Sequence, residues 1–494
     1  MSVKVFNPAR VANVVRAVTV VAVVGLLCGC YSYRLEREPN PVKMPVNWDF
    51  QGGTTNAAVD SQWWKAFGSP VLNDLIAQAL KDNPGIIATE ERLKQAERTF
   101  QQNRDSLLPD PRLSTGLSAG FADGNQRSGD FTESTSAVSL SASYTVDLWG
   151  GTAARFRTQV ASFIGTQYDT QLARINLSAQ VARAYFNLLS VRSRTDIARR
   201  NLVIAEQLLG MAQVRYDNDV LRRFDLTQQN TQLLSQRSQL ITQENQMRQA
   251  ETALGLLLGI TPQEFHLEGE PIEQLTVPEI APWVPGEMLL RRADLAGAEL
   301  DMISARVNVT SARAALIPVS LSLSANASNS GSQQLFNLTD TRNFSISGAL
   351  SIAEGFFSFK QKRNAVLNAE SNEYIAVINY ANTIRTALKE VDDLLATAAT
   401  NTRNEEIQRE TLANTRTAFS LADLEYREGS ANGQELREAQ RSLYSAEDSL
   451  SQARLTRLNT AIQLYQALGG GWTPPPANPE YGFSSDQRTS RVTQ

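Results

Sequence analysis

Few residues in this chain could do chemistry. Among 494 residues there are two cysteines, Cys28 and Cys30, and one histidine, His266. That excludes a Cys/His metal set and a His-dependent triad, and no Gly-rich phosphate loop follows a candidate strand. Asp392-Asp393 is a paired carboxylate, but it sits amid helical heptads, where adjacent residues do not face one site. His266 falls in a polar linker and reads as a surface residue. Arg291, Arg292 and Asp294 cluster early in the second half, where ion pairs that fix a helix end are a better reading than a substrate site. These residues assign no catalytic group, no metal and no cofactor. The one covalent chemistry they suggest is at Cys30. Leu27-Cys28-Gly29-Cys30 puts Leu at −3 and a small residue at −1, which resembles a bacterial lipobox. Cys28 is the poorer candidate because Leu27 precedes it.

The elements around Cys30 agree with that. Lys4, Arg10 and Arg16 precede an apolar run from Ala17 to Leu27. Basic residues, a short apolar run and a small residue before the cleavage point make residues 1–29 a secretory signal. Roughly 11 residues cannot span ~30 Å of hydrocarbon as a helix. Cys30 then becomes the first mature residue and carries lipid, each buried methylene contributing ~0.8 kcal/mol to membrane attachment. An ordinary signal peptide that happens to contain Cys is the alternative. Tyr31 in place of Asp after the lipidated Cys resembles the outer-membrane sorting pattern of Gram-negative lipoproteins. With a net charge of −4, no basic surface invites nucleic acid. No stretch after residue 30 is apolar enough for a transmembrane helix, so a membrane-crossing part has to be made of strands.

The rest reads as one unit written twice. Leu107-Leu108-Pro109 and Leu316-Ile317-Pro318 each open a Ser-rich stretch. Tyr216–Leu226 lines up with Tyr426–Leu436, and Leu258-Gly259 with Leu468-Gly469, all near one offset of about 210 residues. Each half carries two alternating stretches, expected as hairpins over 111–148 and 318–354. Val138, Leu140, Ala142, Tyr144 and Val146 alternate with Ser139, Ser141, Ser143 and Thr145. Phe344, Ile346, Gly348 and Leu350 alternate with Ser345 and Ser347. Such alternation gives a strand one apolar and one polar face, at the length of a transmembrane β-strand. The alternative is a half-buried soluble sheet, but the polar face is nearly all Ser and the chain offers no second layer. Long helices are expected over 152–217, 224–258, 356–427 and 434–468. Leu172, Ile175, Ala179, Ala182, Phe186 and Leu189 recur at steps of three and four, as do Tyr374, Val377, Ala381, Ile384, Leu388, Val391, Leu395 and Ala398. That is coiled-coil spacing.

Four strands cannot close a barrel, and an open edge cannot sit in lipid. The chain therefore has to assemble around an axis. A dimer gives eight strands and a trimer twelve; a Ser-lined interior that needs room for water favours the trimer. A non-conducting structural or adhesive lipoprotein with coiled-coil spacers is the rival reading, but a spacer has no need of amphipathic strands.

Motifs in order along the chain resemble the outer membrane factor family, the TolC-like export channels, in its lipoprotein branch. Trp63-Trp64 with Phe67, Leu72, Leu75-Ile76, Ala79-Leu80 and Asn83 look like its N-terminal segment. Val146-Asp147-Leu148-Trp149-Gly150 looks like its strand-to-helix junction. Leu290-Arg291-Arg292-Ala293-Asp294-Leu295 is similar to its Arg-Arg-Pro-Asp-Ile element. Tyr426-Arg427-Glu428-Gly429 and Ala439-Gln440-Arg441 resemble its second coiled-coil tip, and Ala467-Leu468-Gly469-Gly470-Gly471-Trp472 its close. The similarity spans residues 60 to 472.

The resemblance implies a mixed α and transmembrane β fold: a homotrimeric 12-stranded β-barrel, four strands per chain, continued by a long periplasmic α-helical barrel. It implies a lipidated equatorial segment over 30–70, a first repeat over 71–259, an equatorial loop over 260–285, a second repeat over 286–469 and a tail over 470–494. Function follows as a passive outer-membrane exit duct of a tripartite efflux or secretion system. A periplasmic adaptor and an inner-membrane transporter are its partners, docking at the tips near 216–224 and 426–434. Three departures stand out: Ala293 replaces Pro, Asp219 replaces a usual Gly, and Ala353-Glu354-Gly355 replaces Phe-Asp-Gly. The Leu and Asp that pinch the closed mouth in relatives fall here on Gln434 and Glu438. They are the expected periplasmic gate, a plain solvated face being the alternative. Converging carboxylates would favour a bound cation or proton there. Tyr426 and Arg427 are either a tip latch or tip packing. Tyr144, Trp149 and Phe344 mark either an aromatic girdle or simple packing.

Overall fold

Sequence alternation with period two becomes one four-stranded sheet, and the heptad runs become four long helices. The computed structural model describes residues 42–45, 48, 61–105, 110–120, 133–261, 263, 265–267, 270–279, 285, 291–317, 319–332, 342–352, 356–428, 430 and 433–472. A 3₁₀ turn, Trp63–Phe67, leads into α1 (Pro70–Asp82) and α2 (Pro84–Asp105). Strands β1 (Asp110–Gly120) and β2 (Glu133–Val146) follow, then α3 (Gly151–Asp217) and α4 (Arg223–Leu257). A second short turn, Ile272–Gln274, precedes α5 (Ala293–Leu316), β3 (Val319–Ser332), β4 (Arg342–Ile352), α6 (Phe356–Glu428) and α7 (Gly433–Ala467). The helical stretch that opens the first repeat is split into α1 and α2, because Pro84 drives Asn83 out of the helical region (ψ 124°).

All strand pairs are antiparallel, in the order β1-β2-β3-β4. The middle pairing, β2 with β3, joins the two halves of the chain. Its register puts Ser114, Ser139, Ser328 and Asn343 in one row and Leu113, Leu140, Ala327 and Phe344 in the next. By alternation the two rows lie on opposite faces. Within the chain β1 and β4 each pair on one side only, so both outer edges are open.

The helices form a wall four wide. Near the sheet the neighbours run α2–α3–α5–α6; away from it they run α4–α3–α7–α6. Helices α3 and α6 are continuous, with 67 and 73 residues, or ~100 and ~110 Å. The other two columns are spliced. The Asn83 amide donates to the Leu257 carbonyl at 2.8 Å, so α2 starts where α4 stops. Arg292 Nη1 donates to the Ala467 carbonyl at 2.8 Å, so α5 starts where α7 stops. Each splice needs a glycine. Gly259 (φ 74°) and Gly469 (φ 80°) lie in the left-handed region. A Cβ there would meet the Asp82 carbonyl oxygen at 2.6 Å or the Arg291 carbonyl oxygen at 2.0 Å.

The largest core sits at splice height. Trp63 and Phe67, both buried, pack with Leu72 and Ile76 onto Phe186 and Leu189 of α3, Leu254 of α4, Ile384 of α6, and Leu458, Ile462 and Tyr465 of α7. Trp63 stacks on Tyr465 at 5.5 Å. Burial of each such side chain stabilises by about 1.5–3 kcal/mol, so the N-terminal turn binds the wall's columns together. Among the described residues no helix is long and apolar enough to cross a membrane.

Candidate gate at the helical tips

The first tip is the turn from α3 to α4. Helix α3 ends in a paired-bond cap: Val220 N–H donates to the Arg215 carbonyl at 2.9 Å and Asp219 N–H to the Tyr216 carbonyl at 3.0 Å. That cap requires a left-handed residue, and Asp219 supplies it at φ 59°. It is the only non-glycine with positive φ among the described residues. The second tip, α6 to α7, shows the same long bond, from Ser430 N–H to the Glu425 carbonyl at 3.0 Å.

Tyr426 joins the two tips. Its side chain is buried with Leu208 of α3 and Leu436 of α7. The Arg215 guanidinium lies 4.1 Å from the centre of the Tyr426 ring and also donates to the Tyr426 carbonyl oxygen. This cation–π contact and hydrogen bond connect α3 to α6 across the tip. Arg427 instead pairs with Asp423 on its own helix at 2.9 Å. The sequence reading named Tyr426 and missed Arg215. A signal was present: the matching residue in the second half is Glu425, so the repeat reverses charge at this position.

Gln434 and Glu438 lie one turn apart on α7, and both are exposed. Glu438 pairs with Arg441 at 2.8 Å in an open i,i+3 bridge. Behind them, Gln440 is buried and donates to the Tyr444 hydroxyl, which in turn donates to the Asn201 carbonyl at 3.2 Å. Burial pushes the Tyr444 phenol up to about 12, so it stays a neutral donor between α7 and α3.

The remaining expected residues are dispersed. Arg292 is nearly buried and pairs with Asp294 at 2.7 Å and with Glu390 of α6 at 2.9 Å, while Asp294 accepts from Leu295 N–H at the start of α5. This cluster fixes a helix end. His266 is exposed, Tyr144 half-buried and Trp149 exposed. Cys30, the signal segment 1–29, Ala353-Glu354-Gly355 and the tail after Trp472 lie outside the described residues, as does the side chain of Phe344. No group of His, Cys, Asp and Glu able to hold a metal occurs among the described residues.

The Outer membrane efflux protein family model matches twice, over residues 75–260 and 284–470. The pyoverdine export outer membrane protein OpmQ of Pseudomonas aeruginosa is 31% identical, covering 87% of this chain and 91% of its own. The probable outer membrane lipoprotein SilC of Salmonella typhimurium is 25% identical, covering 92% and 98%. In structure, the open state of the Neisseria gonorrhoeae MtrE outer membrane channel superposes with a TM-score of 0.79 at 22% identity, covering 89% and 98%. The chain belongs to the outer membrane efflux protein family and is an outer-membrane efflux channel component.

Proposed function

We propose that three copies of this chain close into a continuous passive duct, a 12-stranded β-barrel on a helical barrel, with its mouth at the tips. The carrying observation is that, among the described residues, both flanks of the chain lack a neighbouring helix or strand. One flank is α2, the open edge of β1, and α4; the other is the open edge of β4, and α6. Exposed large apolar residues gather on these flanks. Ile87 is on α2, Leu234 and Ile241 on α4, and Leu367, Tyr374, Ile378 and Leu421 on α6. Of the inner helices, α5 and α7 carry none among the described residues, and α3 carries only Val203 and Val214 near the tip. Leu234 to Ile241 and Leu367 to Tyr374 are heptad steps, the spacing of a helix seam. Copies related by a closed rotation would set α6 of one against α4 and α2 of the next. The tandem repeat supports this: two near-equivalent halves place near-equivalent columns around the ring.

In this reading the apolar strand rows face lipid, the Ser rows face water, and Cys30 carries the lipid. Gln434 and Glu438 narrow the mouth, and Tyr426 with Arg215 latches it. The duct performs no reaction. A periplasmic adaptor and an inner-membrane transporter meet the tips and supply the energy. Planar-bilayer conductance with the mass of the same detergent-purified sample tests this. Discrete openings from a trimer are expected. A monomer, or a trimer that stays silent with Glu438→Ala, would return the chain to the class of structural lipoproteins.

A further inference from the structure

Two arginines outside the tips are built alike, and neither the duct nor the gate uses them. Arg192, on α3, pairs with Glu251 of α4 at 2.7 Å and donates to the carbonyl of Leu267. Arg454, on α7, pairs with Glu405 of α6 at 2.9 Å and donates to the carbonyl of Leu275. Each arginine is thus braced across its own helical hairpin while gripping the backbone of one connecting segment. Leu267 and Leu275 are eight residues apart in the sequence, at most ~28 Å of extended chain. Between the grips, Glu270 accepts from the Tyr185 hydroxyl at 2.9 Å and Glu273 from Ser193 at 3.3 Å. Ile272 and Leu275 are buried in the main core, and Thr276 N–H donates to the Phe67 carbonyl at 3.1 Å. At this height α3 and α7 come together through two small side chains, Ser190 and Ser451, 3.3 Å apart, beside Arg194 and Asp448 at 2.5 Å.

From this juxtaposition we infer that Leu267 and residues 270–275 form a clamp, held at one end by Arg192 and at the other by Arg454, that fixes the α3/α4 hairpin to the α6/α7 hairpin at mid-height. It rests on the reading of the tips as the moving mouth, and assigns the pivot of that motion. Among the described residues, the hairpins meet below the clamp through the small buried cluster of Leu208, Tyr426 and Leu436 and the hydrogen bond from Tyr444 to the Asn201 carbonyl. Above it they share the main core. Tip opening therefore bends the helices below Ser190 and Ser451 and leaves the barrel end in place. Arg192 and Arg454 act as positioning residues.

A clamp has two ends, so releasing either should release it. Hydrogen–deuterium exchange of the full-length protein in detergent tests this with Arg192→Met, Arg454→Met and the double variant. Glu405 keeps Arg457 at 3.0 Å and Arg409 at 2.7 Å when Arg454 is replaced. Expected is about tenfold faster exchange at 187–195 and 448–455 in each single variant, and no further gain in the double. Two independent local contacts would instead each speed exchange on one side alone, Arg192→Met at 187–195 and Arg454→Met at 448–455, with no effect on the other window. That outcome, or no acceleration in either single variant, overturns the clamp. If a Met variant fails to assemble, the Lys pair makes the same comparison, because Lys keeps the charge for the glutamate without the two-pronged grip. Exchange does not depend on conduction. If conductance were unmoved by every tip substitution, the mouth reading would fail while the exchange result still decided the clamp.

Discussion

Two residues sit where ordinary side chains do not belong, and both were partly readable. Asp219 stands at a left-handed cap that a short polar side chain tolerates but glycine adopts freely. The aligned position in the second half is Gly429, so the repeat itself showed what the site wants. Asp219→Gly is expected to raise stability by up to ~1 kcal/mol and Asp219→Val to lower it by more, read as a shift in thermal midpoint of the trimer. Glu405 is a carboxylate only 1% exposed, continuing the apolar series through Val391, Leu395 and Ala398. Its place on that stripe and its i,i+4 partner Arg409 were legible; Arg454 and Arg457 were not, because they come from another helix. Burial alone raises the Glu405 pKa, but the Arg457 hydrogen bond and the charges of Arg454 and Arg457 outweigh it and hold the carboxyl below its ordinary value. A carboxylate depressed on folding contributes stability that is complete above its unfolded pKa and lost as pH falls through the folded one. Glu405→Gln is therefore expected to lower stability by about 3 kcal/mol at neutral pH. It should also flatten the loss of stability expected below about pH 4, read by thermal melts of the variant against the native protein. An unchanged acid limb would place that loss on other carboxylates.

Helices and strands followed local periodicity closely, since a stripe at steps of three and four or an alternation of Leu and Ser is a local property. Long-range pairing was not legible. The bonding of β2 to β3 joins residues such as Leu140 and Ala327 that no local pattern connects. The splices of α4 onto α2 and α7 onto α5 depend on single side chains, Asn83 and Arg292, meeting carbonyls far along the chain. The tip shows the same division. Tyr426 stood out as part of a repeated motif, while its contact with Arg215, hinted at only by the charge reversal against Glu425, is fixed by packing. Arg215→Ala removes the contact between α3 and α6 at the tip but leaves the cap of α3, which uses the backbone. The expected result is an unchanged melting profile with a higher open probability in bilayers, because cation–π and hydrogen-bond losses at a half-exposed site amount to ~1–2 kcal/mol. Arg215→Lys should fall between the two. Equal open probability in all three proteins would leave Tyr426 as tip packing.

At the scale of the molecule, the single chain is incomplete in a particular way. Most of its exposed large apolar side chains lie on its flanks rather than on its inner columns. Ile241 of α4 and Tyr374 of α6 are each 68% exposed, and both sheet edges lie on the same two flanks. Substituting lysine on the flank leaves the main core, which lies between the columns, untouched. Leu234→Lys with Ile241→Lys is therefore expected to preserve the helical content and melting of the monomer while abolishing the trimer. The matching change on the inner columns, Leu458→Lys, is expected to unfold the chain, since that side chain is fully buried. Mass measurement in detergent separates the two cases. If the flank variant still forms trimers, the seam does not run along α4, and the open edges of β1 and β4 must carry assembly alone. If it yields folded monomers that no longer conduct, then the pore belongs to the ring and not to the chain. The gate proposed at Gln434 and Glu438, an exposed helix face in the single chain, would then be formed only where three copies meet.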